Sequence, residues 1–328
     1  MKTRAISLLA VACLALGTAA CSTSGGESGS TGSSGAGDAT TSGGSSTSAK
    51  GTVGDIAKGV SADPAAVKLL PASVKSKGTI TVAMDLQYPP TSFLSTSNQP
   101  EGYNVDIARL IAAKLGLKLD IKNVSFDTII PGLTGGRYDF TATDMSASPD
   151  RLKVLDMINY WTDGSSLATK AGNPEKLDIN TNSICGRKIA VMTGTTQQQT
   201  YLPALSKKCT AGGKQAVSTV VLPNVNTALT QLASGRIDGI FYDTPSLAYA
   251  VQQHGSTFSV NQDQYNKPAS LGTDLVAIGL KKNSPLTKAV QQAMQSVMDG
   301  PLYKKALDNW GLGGGAISKA SIATSVSN

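Results

Sequence analysis

Two stretches decide the fold when set side by side: residues 128–144, TIIPGLTGGRYDFTATD, and residues 227–243, TALTQLASGRIDGIFYD. At a constant offset of 99 residues, Thr128 matches Thr227, Leu133 matches Leu232, and Gly136 and Arg137 match Gly235 and Arg236. Asp139 then matches Asp238, and Asp144 matches Asp243. Each copy reads as a helix, a glycine stop, a short turn and a strand ending in aspartate. Such a run of identities in register points to two lobes of similar construction.

The neighbouring sequence extends the pattern. Residues 63–70 read as a short helix. Residues 79–84 (TITVAM) read as a strand running into the turn Asp85-Leu86-Gln87-Tyr88-Pro89-Pro90. A helix follows from about Asn104, with Val105, Ala108, Ile111, Ala112 and Leu115 on one stripe and Gly116 as its stop. Alternating β and α units of this kind predict an α/β protein whose mainly parallel sheets are flanked by helices. In open α/β sheets ligands sit beyond the carboxyl ends of strands. If the two lobes face each other, Asp144 and Asp243 therefore point into one cleft.

The beginning of the chain specifies a compartment. Lys2 and Arg4 precede an uncharged apolar run from Ala5 to Ala20, too short to span a bilayer comfortably and ending in small residues. Residues 1–20 read as a cleavable export signal. Cys21 follows Thr18-Ala19-Ala20, which resembles the lipobox of bacterial lipoproteins, although leucine usually stands where Thr18 stands. Lipidation of Cys21 is the expectation, with ordinary cleavage nearby as the alternative. Residues 22–50 are almost entirely Ser, Gly, Thr and Ala and read as a disordered tether.

Lys and Arg number 29 against 22 Asp and Glu, and the surplus is spread out. No basic run interleaved with aromatics appears, which argues against a nucleic-acid partner. Cys13 leaves with the signal and Cys21 takes the lipid. Cys185 and Cys209 remain as an even pair in an oxidising compartment, so a disulfide worth ~3 kcal/mol is the default. With His254 the sole histidine, no metal site or cofactor is expected. The glycine-rich 311–316 stretch lacks the βαβ context of a dinucleotide fingerprint and reads as a loosening of the tail.

Three stretches offer chemistry for a small zwitterion, which needs donors for its carboxylate and a fixed acid for its ammonium. Ser146 and Arg151 supply a hydroxyl and a guanidinium fork. Gly194-Thr195-Thr196 lies between the strand 188–192 and a helix beginning near Gln197, where backbone N–H groups favour an anion; an ordinary cap by Thr196 is the bland alternative. Asp243 is an ammonium acceptor, an N-cap for the helix that Pro245 opens, or both. Tyr88 and Phe126 are candidates to cover a ligand's aliphatic part, and Phe126 serves equally well as core.

Together these residues resemble the extracellular solute-binding proteins of polar amino-acid ABC importers. The resemblance covers about residues 70–312. It is carried by Gly102-Tyr103-Asn104-Val105-Asp106-Ile107, the Ser148 to Arg151 segment, Gly194-Thr195-Thr196, Tyr242-Asp243 and the stretch from Asp299 through Trp310-Gly311-Leu312. It implies a bilobal, type II periplasmic-binding-protein-like fold with two hinge crossings, expected near 168–171 and 269–274. Lobe 1 would comprise 51–170 and 270–328, and lobe 2 would comprise 171–269. By the resemblance Arg151, Ser146 and Thr196 bind the carboxylate, with Thr195 beside them, and Asp243 binds the ammonium. Tyr88 and Phe126 sandwich the side chain, and Asp85 lies near its far end. The Cys185–Cys209 pair also resembles a disulfide of some members.

Two positions depart from that pattern: Asn104, where an acid is usual, and Asp144, where glycine or serine is usual. A second acid beside Asp85 favours a cationic side chain such as arginine, lysine or ornithine. The expected protein is a monomer, lipid-anchored at the outer face of the cell membrane, that passes an amino acid to an ABC permease. The alternatives are an exported dehydratase-like enzyme of the same fold and a sensory solute-binding lipoprotein. Nothing in the sequence suggests a nucleophile elbow, a Cys–His pair or a metal cluster.

Overall fold

The computed structural model describes residues 54–261, 263–271 and 274–324, all within one compact unit, Thr47–Asn328. The expected signal, Cys21 and the tether lie outside the described residues.

Helix α1 (Pro64–Lys68) starts where Asp63 accepts the Ala65 N–H at 2.8 Å, and α2 (Ala72–Lys77) stops at Gly78. Strand β1 (Thr79–Met84) follows, then the short strands β2 (Gln87–Tyr88), β3 (Ser92–Leu94) and β4 (Pro100–Glu101), which pair as a small antiparallel sheet. Gly102 then turns the chain at φ 119, where a Cβ would stand 2.4 Å from the Thr91 carbonyl oxygen, so only glycine fits. Helix α3 (Tyr103–Lys114), β5 (Lys118–Asn123), α4 (Phe126–Thr134), β6 (Phe140–Thr141), α5 (Pro149–Val154) and β7 (Leu155–Thr162) complete the first pass.

The chain then crosses at Asp163 and Gly164 into a second sheet. There it forms β8 (Ser165–Lys170), β9 (Lys188–Met192), a π-helical turn (Gln197–Tyr201), α6 (Leu202–Ala211) and β10 (Ser218–Leu222). Next come α7 (Val225–Ala233), β11 (Gly239–Asp243), α8 (Thr244–Gln253) and β12 (Phe258–Val260). It returns to the first sheet through β13 (Leu275–Lys281) and ends in α9 (Thr287–Met298) and α10 (Pro301–Asn309).

The two sheets share one plan. The first runs β5-β1-β6-β13-β7 and the second β10-β9-β11-β8-β12. In each, the first three strands are parallel. The strand that arrives from the other lobe, β13 or β8, inserts antiparallel beside the repeat strand β6 or β11. The sheets are therefore mixed where mainly parallel ones were expected, because each crossing strand enters from the opposite direction. The first crossing also differs from the expected 168–171: Ala168 lies inside β8, paired with Ile240. Lobe 2 accordingly begins near residue 165. The two crossings are tied by Asp163, whose N–H donates to the Asp274 carbonyl at 2.8 Å.

Alternation along the central strands builds a core on each face. Ile80, Val82 and Met84 of β1 pack with α3 and α9 through Ile107, Ile111, Val290 and Met294, while Ala83 faces Ile129 and Leu133 of α4. In the second lobe Ala190 and Met192 of β9 meet Leu229 and Leu232 of α7, and Ile189 and Val191 meet Leu202 and Leu205 of α6. The disulfide between Cys185 and Cys209, with Cα atoms 5.6 Å apart, ties α6 to the segment before β9.

The internal repeat is structural. Helices α4 and α7 end alike, with Gly136 and Gly235 at φ 74 and 71. Asp139 accepts the Thr81 N–H and Asp238 accepts the Lys188 N–H, each at 2.7 Å. In both lobes the repeated turn aspartate thus clips itself to the second strand of its sheet, the one beside the repeat strand.

The expectation of a loosened tail is corrected. Residue Gly315 packs so closely that a Cβ would lie 2.4 Å from the Thr162 carbonyl oxygen, and Ile322 and Ala323 pair with Ile158 and Met157 of β7. The glycines turn the chain tightly back onto the sheet.

Candidate functional site

The carboxyl ends of β6 and β11 and the N-terminal regions that follow β9 converge on one small cavity. It is lined by Phe126, Asp144, Ser146 and Arg151 from lobe 1 and by Thr195, Thr196, Gln197, Tyr242 and Asp243 from lobe 2. The cavity measures about 10 Å³, room for about one water, so the side chains of the two lobes nearly meet across it. Arg151 and Asp243, the two charges on which the sequence reading rests, therefore face the same space.

Arg151 is held in place from both sides. Ser148 caps α5, accepting the Arg151 N–H, so the side chain leaves the first turn toward the cleft. Its guanidinium donates to the Ser146 carbonyl at 2.8 Å and crosses the cleft to Thr196 Oγ1 at 3.2 Å and the Gly194 carbonyl at 3.1 Å. Its outer carbon lies 5.6 Å from the Phe126 ring centre. Arg151 is only 4% exposed, and burial lowers its pKa to about 10, which leaves it charged at neutral pH.

Opposite stands Asp243 at the end of β11. It occupies the N-cap position of α8 without making a side-chain cap bond, which decides against the capping alternative. Its Oδ1 accepts from Gln197 Nε2 at 2.6 Å. Burial, and next the negative charge of Asp144, push its pKa up to about 7, against the Gln197 hydrogen bond and Arg151. Asp144 is raised to about 6 by burial, opposed by hydrogen bonds from Thr91 and Asn104. Half-buried Asp163, in the first crossing, is also raised, by burial first and then by Asp243 and Asp144. The cleft thus gathers acids around one buried arginine.

Several sequence expectations change at this point. Thr196 makes no cap bond, and its hydroxyl oxygen instead accepts from Arg151. The Gly194 N–H donates to Gln198 Oε1 at 2.6 Å, so this donor is already engaged. Ser146 meets Arg151 through its carbonyl. Asp85, 2% exposed, accepts the Phe126 N–H and the Gln87 amide and so caps α4; it is not among the residues lining the cavity. Tyr88 is buried outside that lining as well. Its hydroxyl donates across the lobes to the Pro223 carbonyl at 3.0 Å, and its ring packs on Tyr242 at 5.5 Å. Phe126 does line the cavity, while also joining the core cluster of α4.

Sequence reasoning missed Gln197 and Asp163. The signal for Gln197 was its place in the first turn after Gly194-Thr195-Thr196. Asp163 carried no local signal, because only the crossing brings it near Asp243. Among the described residues no cluster of acids, cysteines and histidine forms a metal-binding group, and no helix is long and apolar enough to cross a membrane.

Two lobes of one plan, connected by two chain passes and enclosing a charged cleft, define a bilobal solute-binding protein of the type II periplasmic-binding kind. The chain belongs to the bacterial extracellular solute-binding proteins, family 3, which it matches over residues 80–313, and it acts outside the cytoplasm. It is 25% identical to the arginine-binding protein ArgT of Corynebacterium glutamicum, across 79% of this chain and 83% of that one. Among solved structures, an ancestral arginine-binding protein bound to arginine superposes with a TM-score of 0.62 at 27% identity, covering 71% of this chain and 98% of its own. An ancestral amino acid-binding protein described as a precursor of cyclohexadienyl dehydratase gives 0.62 at 25%, covering 73% and 97%.

Proposed function

We propose that the protein captures a cationic amino acid between its lobes and delivers it to an ABC-type permease. The observation that carries this reading is the placement of Arg151 from one lobe and Asp243 from the other on a single cavity. Arg151 is the partner for the ligand carboxylate and Asp243 the partner for its ammonium. Thr195, Thr196 and Gln197 supply neutral polar groups beside them, and Phe126 covers the aliphatic part. Asp144 adds a second negative charge against one positive charge in the lining, and a side-chain cation balances it. Relatives named for arginine support the same class.

Capture and closure are one event in this reading. A ligand that touches both lobes stabilises the closed arrangement by its differential contacts, and the permease then reads the closed form. The protein works as a monomer, anchored to the outer face of the membrane through lipid on Cys21. Loss of detergent-phase partitioning in Cys21→Ser is the expected result; an unchanged distribution would remove the anchor from the proposal.

Calorimetric titration with arginine, lysine, glutamine and glutamate tests the ligand class. Arginine or lysine binding tightest supports it. A preference for glutamate ends the cationic reading, and silence toward every amino acid ends the amino-acid reading.

A dehydratase-like activity is the second reading. It is favoured by the raised Asp144 and Asp243, which hold protons near neutrality as a proton donor must, and by the likeness to the dehydratase precursor. Turnover of a cyclohexadienyl substrate to an aromatic product, lost in Asp144→Asn, would replace the binding reading.

A further inference from the structure

We propose a second binding site, between Tyr88 and helix α8, for a small uncharged molecule with an apolar body and an amide or hydroxyl group. A cavity of about 210 Å³ lies there, separate from the Arg151 cavity. Its walls come from both lobes: Gln87, Tyr88 and Pro89 on one side, and Asn226, Ser246 and Tyr249 among those on the other. Two bonds across the lobes close it, Tyr88 Oη to the Pro223 carbonyl and Asn224 Nδ2 to Gln87 Oε1 at 3.1 Å. The space is therefore a property of the closed arrangement.

A buried hydroxyl points to a polar occupant. Ser246 is 3% exposed, lines the cavity, and its Oγ has no hydrogen-bond partner in the structure. Buried polar atoms are nearly always paired, so this one is available to a ligand. Asn226 and Gln253 add amide donors and acceptors, and Val225, Ala250 and the Tyr88 ring supply apolar surface. The lining holds no carboxylate, lysine or arginine. With His254 the one imidazole in the lining, a cation would lack any counter-charge there and an anion a permanent one, which favours a neutral guest.

The site has a consequence for the cleft. A molecule that fills a cavity formed only on closure favours the closed state, and by reciprocity it tightens binding of the cleft ligand by the factor that the cleft ligand tightens its own. This coupling rests on the closure reading proposed above; occupancy of the cavity does not.

Nicotinamide, a neutral aromatic amide, is a suitable probe. Amide NMR spectra of the arginine-saturated protein are expected to shift at Ser246, Tyr249 and Ala250 on its addition. The apparent Kd for arginine should fall several-fold at saturating nicotinamide. Ala250→Leu, which fills the cavity, should abolish both effects while arginine still binds, and Ser246→Ala should weaken the probe in a background of unchanged fold. Absence of shifts in the arginine-saturated protein overturns the proposal and leaves a water-filled gap only. Shifts confined to Arg151, Thr196 and Asp243, with arginine displaced, overturn it too. If arginine fails to bind yet the three shifts appear, the site stands and the amino-acid reading falls.

Discussion

The Asn104 side-chain amide donates to Asp144 Oδ1 at 3.1 Å, joining the two positions at which the chain departs from the pattern it resembles. Asn104 is fully buried. It also donates to Ser92 Oγ at 2.9 Å and accepts from the Tyr160 hydroxyl. An acid at 104 would face Asp144 as a like charge. The amide replaces that repulsion with a hydrogen bond and holds the Asp144 carboxyl in the lining of the cavity. The two departures are therefore one structural change.

Asp144 carries a backbone cost as well, since its φ is 43, in the left-handed region that favours glycine. Asp144→Gly should raise unfolding stability by ~1 kcal/mol, measured by urea denaturation without ligand. The same variant should lose about tenfold or more in affinity for arginine relative to glutamine, equivalent to about 1.4 kcal/mol. Stabilisation with an unaltered preference would remove Asp144 from the recognition of charge.

Arg151→Ala is expected to abolish amino-acid binding, because no other arginine or lysine lines the cavity. Arg151→Lys should fail nearly as badly, since an ammonium cannot span Ser146, Thr196 and Gly194 as the guanidinium does. Thr196→Val, which deletes one of these acceptors, should weaken binding by roughly tenfold, in line with ~1–2 kcal/mol for one hydrogen bond to a charged group. Titration calorimetry reads all three.

Proton release should accompany capture. Folding raises the carboxyls of Asp144 and Asp243 to about 6 and about 7, so the ligand-free folded protein holds more protons than the unfolded chain between the ordinary carboxylate range and about pH 7. These two groups therefore destabilise the ligand-free form as pH rises through that window. A bound cation favours their ionised forms and expels the protons. Arginine affinity should accordingly climb between pH 5.5 and 8, and binding enthalpy at pH 6 should vary with buffer ionisation heat. A flat profile would mean that neither acid meets the ligand.

The repeat makes a paired prediction. Asp139→Ala and Asp238→Ala each orphan one backbone N–H, of Thr81 and Lys188 respectively. The Thr81 bond is part-buried and the Lys188 bond exposed, so Asp139→Ala should cost ~1–3 kcal/mol and Asp238→Ala less, because water can replace the lost acceptor. The double replacement Cys185→Ser with Cys209→Ser should cost ~3 kcal/mol while leaving arginine affinity within about twofold, as neither cysteine lines the cavity. Chemical denaturation separates these outcomes.

Local sequence was sufficient for the elements and for their duplication. Alternation in TITVAM, the stripe of α3 and its glycine stop, and the Gly-Arg-x-Asp turn are short-range features, because backbone geometry repeats every two or 3.6 residues. Arg151, Thr196 and Asp243, which line one cavity, each sit at the end of such an element, where local sequence marks them. Which sheet a strand joins was not legible: residues 168–171 resembled a hinge until pairing with β11 placed Ala168 inside β8. Asp85 and Tyr88 lie off the lining of the Arg151 cavity for a related reason, since the capping of α4 and the bond to Pro223 engage partners 41 and 135 residues away. A chain encodes its periodicities locally, whereas the partner that satisfies a buried polar group is chosen only when distant segments meet.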